Sequence, residues 1–387
     1  MLQQMLQVTL MNLRNIRSRL GSSSVIVVGI GGVVAVLIAI LAMAAGFRSV
    51  LDNTGRDDVA IVLRGGSSGE LSSNISPENR AIVSSLPGVV TAAGELFTIV
   101  DAPKRSTGAP ANLVVRGVQS ASFAVRPQLR LLAGRTFSAG KRELIAGRGA
   151  AAEFLNVEVG GTLNFRDSTW TVVGIFESGG DAQESELWGD LPVAQSAFRR
   201  GGWVTSMRLQ VSDPAVIPQL AEIVEKDPRL DLKIVSEREY YASQGKGLSR
   251  LITSFGYSVA VIMAIGAIFS ALNTMYSAVS SRTIEIATLR AIGFSAAPVL
   301  SSVMMESLVL ALIGGMLGAL VAYIGFNGMT VSTLNSGTFS QLAFDFSVTP
   351  DLIAQGLIWS IALGAIGGLF PAVRAVRIPI TVALRGE

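Results

Sequence analysis

Four stretches of the chain, residues 24–46, 251–279, 297–326 and 352–372, are predominantly apolar. Each reaches or exceeds the roughly 20 residues that a helix needs to cross about 30 Å of hydrocarbon. The pattern predicts an integral membrane protein with four spans; residues 342–348 are too short and too polar for a fifth. A mean hydropathy of +0.51 and a charged fraction of only 15% agree with that reading.

Orientation follows from basic residues close to the spans. The segment before the first span has Arg14, Arg17 and Arg19 with no acid; the loop after the second has Arg282 and Arg290 against Glu285; the tail has Arg374, Arg377 and Arg385 against Glu387. The loop 327–351 has neither Lys nor Arg and carries Asp345 and Asp351. Both termini are therefore expected in the cytoplasm and the long segment 47–250 outside. Its 23 basic and 23 acidic residues cancel. The pI near 9.4 thus reflects the inner edges of a membrane protein and is no argument for nucleic acid. A signal peptide cleaved after Ala42-Met43-Ala44 is the rival reading of the N-terminus, but the apolar run exceeds the 7–15 residues of a signal-peptide core. The first span is expected to stay.

Residues 1–23 repeat Leu2, Leu6, Leu13, Ile16 and Leu20 at helical spacing. They read as an amphipathic helix in the inner headgroup layer or as an inward extension of the first span. The outer segment alternates strand and helix signals. Strands are expected at 59–64, 89–100 and 112–118, with a helix opened at Ser76-Pro77-Glu78 and closed by Pro87-Gly88. Strands 205–211 and 230–235 flank a helix that starts at Asp213-Pro214 and ends near Asp227-Pro228. These make two β-α-β units, with a β-rich insertion near 127–202 that includes strands at 162–166 and 169–176. The fold class is a four-helix membrane protein with a large α+β domain inserted between helices 1 and 2. Ser236-Glu237-Arg238-Glu239 is a capping box, so one helix is expected to leave the outer domain and continue as the second span.

Small residues recur every fourth position in the later spans: Gly356, Ser360, Gly364 and Gly368, and Gly314, Gly318 and Ala322. Such rows let helices approach closely in lipid, within one chain or across a dimer. Pro371 should kink or end the fourth span.

Zero Cys and zero His remove disulfides, thiolate nucleophiles, the commonest metal ligand and the usual general base. Gly140-Lys141-Arg142 and Gly245-Lys246-Gly247 lack the remainder of a phosphate-binding loop. No catalytic, cofactor or metal residues are assigned. Glu306 is the ionisable side chain inside a span, and an intramembrane carboxylate needs a partner or a cavity; a structural role near the start of its helix, snorkelling or pairing with a nearby arginine, is favoured over a proton relay. Residues 280–296 form an inner loop with room for about three helical turns, with Ile284, Ile286, Leu289 and Ile292 giving apolar faces and Gly293 a stop. Arg282 and Arg290 are read as facing headgroups or a partner. A short amphipathic helix held on the inner membrane face is a docking knob.

The stretch "SRTIEIATLRAIGFSAAPVLSSVMMESLVLALIGGMLGALVAYIG" resembles the membrane domain of the MacB/FtsX-like ABC transporter permease family, also called type VII. The likeness lies in R-x-x-E-I-A-x-L-R-A-I-G at 282–293, Glu306-Ser307 and Gly314 to Gly318. The tail "PAVRAVRIPITVALRGE" resembles the family ending at Pro371, Ala375, Pro379 and Leu384-Arg385. "LLAGRTFSAGKRELIAGRGAAAEF" and "VGGTLNFRDSTWTVVGIFES" resemble its outer core domain.

The resemblance implies four spans with the outer domain between the first two, a second permease (homodimer or heterodimer), and a cytoplasmic ABC ATPase carrying ATP and Mg on a separate chain. It casts Arg282, Ile284, Glu285, Leu289, Arg290 and Gly293 as the ATPase-coupling helix. It further implies mechanotransmission: ATP-driven movement relayed to the outer domain, with a hydrophobic or lipid-like cargo exported or extracted, a periplasmic adaptor and membrane lipid as further partners, and no nucleic acid. The alternatives are a lipoprotein-releasing permease, or a non-transporting scaffold or regulator that recruits a periplasmic partner. Cysteines placed singly at Ser295 and Ser336 test the orientation. The first should be protected from an impermeant maleimide outside the cell, and the second labelled.

Overall fold

The computed structural model describes residues 20–293, 295–335, 340–377 and 379. The amphipathic reading of residues 1–19, the tail motif at Leu384-Arg385 and the labelling position Ser336 lie outside the described residues. The elements are, in chain order, α1 (Leu20–Asn53), β1 (Val59–Arg64), α2 (Pro77–Ser84), β2 (Val89–Pro103), β3 (Pro110–Val118), α3 (Ser120–Ala124), β4 (Arg130–Gly134), β5 (Glu143–Gly147), α4 (Arg148–Glu153), β6 (Thr162–Phe165), β7 (Ser168–Glu177), β8 (Glu186–Asp190), α5 (Leu191–Ala197), β9 (Ser206–Val211), α6 (Ile217–Lys226), β10 (Leu232–Ser236), α7 (Glu237–Ser280), α8 (Thr283–Ala291), α9 (Ala296–Phe326), β11 (Thr330–Asn335), β12 (Ser340–Asp345) and α10 (Pro350–Arg377). Four of the described helices, α1, α7, α9 and α10, are long and apolar enough to cross a membrane.

The chain divides into two compact units. One comprises Gly46–Arg250 with Thr330–Asp345; the other comprises the residues up to Ala45, Leu251–Met329 and those from Phe346 on.

The α+β unit is built on a ten-stranded sheet ordered β10-β1-β9-β2-β3-β8-β5-β7-β4, with β6 paired to β7. Both β-α-β segments read from the sequence are present, but they interleave rather than stand apart. β1 lies between β10 and β9 and is antiparallel to both, while β9 lies between β1 and β2. This is the split β-α-β arrangement of ferredoxin-like sheets, in which each unit's partner strand is supplied by the other. The helices start where the caps demand. Ser76 Oγ accepts from the Asn79 amide at 3.2 Å, and Asp213 Oδ1 accepts from the Ala215 amide at 2.9 Å ahead of α6.

The apolar core lies on one side of the strands, where Leu96, Leu113, Val115 and Leu187 meet Val83 of α2, Leu191 of α5 and Leu220 of α6. The opposite side of β9, β2, β3 and β8 carries Arg208, Glu95, Arg116 and Trp188. β11 and β12, read from sequence as part of a plain loop, pair antiparallel and belong to this unit. Alternation of Leu342 and Phe344, both buried, with Gln341 and Ala343 gives β12 its inward face. Ala343 N donates to Ser185 Oγ at 3.0 Å, and Phe344 meets Phe47 edge-on at 5.6 Å.

The helical unit is held by close backbone approach. Gly31 of α1 faces Gly314 and Gly318 of α9: an added Cβ on Gly314 would meet the Val27 carbonyl at 2.7 Å, and one on Gly318 would overlap the Gly31 carbonyl. Along α9 and α10, Ser307 and Ala311 meet Gly368 and Gly364, and Ser307 Oγ donates to the Gly364 carbonyl at 2.7 Å. The small-residue rows thus serve packing within one chain, where contact rather than water exclusion drives helix association. α10 continues through Pro371 to Arg377, so of the two outcomes expected of the proline, a kink or an end, the end is excluded. A proline removes one internal hydrogen bond, and the buried faces on both sides of it, Gly367, Gly368, Ala372 and Ala375, keep the helix going.

Gly318→Ala should lower the unfolding temperature in detergent by several degrees, since overpacking costs about 1–3 kcal/mol. Gly325→Ala in the same helix, where a Cβ meets nothing within 4 Å, should be neutral or stabilising.

Candidate functional site

In the helical unit the loop between α7 and α9 folds as α8. Arg290 lies in the last turn, and Gly293 terminates the helix at φ +103 with its amide bonded to the Arg290 carbonyl at 3.2 Å. The two arginines do not face outward as the sequence reading held. Arg282 is 6% exposed and donates through Nη1 to Glu306 Oε2 at 3.3 Å; Glu306 is 5% exposed. Arg290 Nη1 donates to the Val376 carbonyl of α10 at 2.8 Å. A carboxylate in a span is costly alone, so the arginine at the loop entrance turns in to meet it. Arg374 sits over the Tyr276 ring at 5.3 Å.

With its arginines turned in, α8 presents Ile284, Glu285, Thr288 and Ile292. Ile284 is 59% and Ile292 69% exposed. Leu289 instead lines a small pocket of about 30 Å³ with Met275, Val279, Val299 and Val303, beside the Arg282–Glu306 pair. Of the sequence-assigned coupling residues, Ile284, Glu285 and Gly293 are at the surface. Arg282, Leu289 and Arg290 hold the helix in place. Gly314, Gly318, Gly364 and Gly368 are at the helix crossings described above.

A second set of charged side chains, in the α+β unit, escaped the sequence reading. Arg116 of β3, Arg126 beyond α3 and Arg208 of β9 are buried with Glu70, Glu95 of β2, Glu186 of β8 and Glu237 of α7. Arg116 grips Glu186 with Nε at 2.6 Å and Nη2 at 2.7 Å, and also reaches Glu70 at 2.8 Å and Glu95 at 3.0 Å. Arg208 reaches Glu70 at 2.7 Å, Glu237 at 3.0 Å and the Tyr241 hydroxyl at 3.1 Å. Arg126 binds both oxygens of Glu95, at 2.6 and 3.1 Å. The Glu70 amide donates to Tyr240 Oη at 3.2 Å. The first two turns of α7 are thereby tied to the sheet. The available signal was a charge inside an apolar strand, as in "NLVVRGV", "AAGELFTIV" and "SMRLQV"; nothing local says which charges meet.

Burial alone would push these carboxyls up. The Arg126, Arg208 and Arg116 guanidiniums outweigh it at Glu95 and hold its pKa at about 2. At Glu70 the same opposition, with Arg116 and Arg208 as partners, leaves the carboxyl well below its ordinary range. Asp181, on the loop before β8, shifts the other way. Burial raises it to about 7, with Glu184 and Glu186 adding to the shift and the Ser178 hydroxyl and Arg126 opposing it. Among the described residues no group of three or more acids could hold a metal ion.

A family model described as "MacB-like periplasmic core domain" matches residues 23–227, and one described as "FtsX-like permease C-terminal" matches residues 257–380. The "Macrolide export ATP-binding/permease protein MacB" of Pasteurella multocida is 27% identical over 74% of this chain and 45% of its own length. An "Uncharacterized ABC transporter permease" of Methanocaldococcus jannaschii is 25% identical over 64% of this chain and 63% of its own. The chain thus spans about half to two thirds of the length of these relatives. The solved periplasmic region of MacB from Actinobacillus actinomycetemcomitans is 15% identical, covering 49% of this chain and 93% of that one, with a TM-score of 0.37.

Glu95 and Asp181, shifted in opposite directions, predict opposite pH responses. Glu95 stabilises the fold above its ordinary pKa near 4.5, and this is lost as pH falls towards about 2. The Asp181 contribution is fully present below 3.8 and is lost as pH rises through about 7. Between pH 5 and 8 the unfolding temperature followed by circular dichroism should fall in the wild type. It should fall less in Asp181→Asn.

Proposed function

Because the chain belongs to the MacB/FtsX-like family of ABC transporter permeases, we propose that it is the membrane subunit through which an ABC ATPase on the cytoplasmic side moves the α+β unit on the periplasmic side. That movement exports or extracts a hydrophobic or lipid-like cargo. ATP and Mg are handled by the ATPase; this chain contributes the dock, the helices and the outer unit.

The observation that carries the reading is α8. Ile284, Glu285, Thr288 and Ile292 form an exposed face with apolar and acidic character. The helix beneath is fixed by Arg282 to Glu306 of α9 and by Arg290 to the Val376 carbonyl of α10. A surface that is free outside and charge-anchored inside suits a partner that must push on it: force applied to α8 is resisted at α9 and α10 rather than dissipated in a loose loop. α7 supports the relay, running as one helix from Glu237 to Ser280.

A second permease copy is supported by the exposed face of α7. Ser254, Ser258, Gly266, Asn273 and Ser277 lie on it among Leu251, Phe255, Ile262 and Phe269. An amide such as Asn273 is unfavourable against lipid, and a facing helix gives it a partner.

Ile284→Asp combined with Glu285→Arg should lower copurification of the ATPase from native membranes at least about tenfold, the effect of losing 1.4 kcal/mol or more of binding free energy. The chain itself should stay in the membrane at normal levels. Wild-type stoichiometry of the ATPase with this double variant would show that α8 is not the dock.

A further inference from the structure

We infer that Glu237 is a hand-over residue, whose carboxylate passes from Arg208 to Arg126 when α7 is displaced, so that the buried charges define two positions of α7 rather than one. The inference rests on the proposal that α7 relays movement.

Glu237 stands on the first turn of α7, 2% exposed, with one oxygen shared between two guanidiniums. Oε1 is 3.0 Å from Arg208 Nε and 3.6 Å from Arg126 Nη2. The first distance is a hydrogen bond and the second a near miss. Charge-assisted N–H···O bonds close at about 2.7–2.9 Å, so a shift of about 1 Å exchanges them.

The two cations differ in what they can spare. Arg208, released by Glu237, keeps Glu70 at 2.7 Å and Ser206, neither of which is on α7. Arg126 holds Glu95 but has an Nε without a hydrogen-bond partner among the described residues. Arg116, gripped by Glu186, Glu70 and Glu95, is fixed throughout. Removing one member of a buried pair is expensive because it strands the other. Passing Glu237 between two cations that both keep another carboxylate strands neither. The two positions therefore lie close in energy, with a separation set by geometry.

α1 meets α7 at Gly245, where an added Cβ would press on Leu51 Cδ1 at 2.6 Å, and Gly55 lies close against Glu237, so any displacement of α7 is confined to a small shift. Arg126 also carries a reporter. Its guanidinium lies 5.1 Å over the Trp188 ring, whose Nε1 donates to Glu186 at 2.8 Å.

The test uses the full chain in nanodiscs, labelled with 5-fluorotryptophan, the Trp188 resonance being assigned with Trp188→Phe. The natural chain has no cysteine, so a spin-label pair at Lys246→Cys and Val90→Cys measures α7 against the sheet without interference. Arg208→Lys keeps the charge beside Glu70 but removes the Nε that holds Glu237. It should shift the Trp188 resonance and add a second interspin distance, and Glu237→Gln placed on top should abolish both effects. An unmoved resonance in Arg208→Lys, or the same shift with and without Glu237→Gln, overturns the hand-over. Should these variants fail to fold, the wild type decides: with its copurified ATPase and ATP–vanadate, distance and resonance should change together. A distance change without a resonance change overturns the hand-over alone. No distance change, with the Arg208→Lys shift intact, overturns the relay reading and leaves the two-position device standing.

Discussion

Glu70, Glu95, Glu186 and Glu237 are buried among three guanidiniums, which hold the Glu70 and Glu95 carboxyls below their ordinary range against the pull of burial. Four carboxylates against three arginines, all nearly shut off from water, make one of the least forgiving arrangements a fold can hold. Each ion has lost its hydration, and its partners return that loss only if distances and angles are kept. Replacing buried ion pairs by apolar side chains of similar volume is often neutral or stabilising by about 1–4 kcal/mol. Stability alone therefore does not account for the cluster. What charge supplies and apolar packing does not is a discrete register: Glu237 and Tyr241 of α7 meet Arg208 of β9, and Tyr240 meets the turn at Glu70, through specific pairings.

The helical unit solves a different problem. Its helices have no hydrophobic force between them in lipid, so they gain by approaching until backbones touch, and Gly31, Gly314, Gly318, Gly364 and Gly368 mark where they do. Charge enters this unit sparingly and at one end, at Arg282–Glu306, at Arg290 on the Val376 carbonyl and at Arg374 over Tyr276. Small residues set how close the helices lie. The arginines set how the short helix α8 is held.

What could be read from the sequence followed the range of the physics involved. The four apolar helices were legible because a run of about twenty apolar residues has few fates. The start of α7 was legible because a cap is a local motif, and Ser236 Oγ does accept from the Glu239 amide at 3.1 Å. α8 was legible as a helix from its spacing, but not the inward turn of Arg282 and Arg290. Periodicity tells which residues share a face, not which face finds a carboxylate 24 residues away. The interleaving of the β-α-β units, the docking of β12 on Ser185 and the ionic cluster all depend on partners far apart in the chain. Glu70 and Arg208 are separated by 138 positions. At each of these positions the local sequence was compatible with a plain strand, a loop or a solvated charge.

These two uses of charge meet on one element. α7 is 44 residues long, about 66 Å at 1.5 Å per residue. Glu237 in its first turn is bound to Arg208, and Arg282, two residues past its end, is bound to Glu306. Between them the helix has neither proline nor, beyond Arg250, a charged residue. A helix tethered only by apolar contacts can rotate or slide among many packings of similar energy. One tethered at each end by a desolvated ion pair must either keep its place or change partners, because leaving an ion unpaired costs about 3–5 kcal/mol. For the ATP-driven relay proposed above that would be the useful property: a graded push on α8 would become a choice between discrete states of α7. On that proposal, the cost of the buried charges in both units is the cost of having states at all.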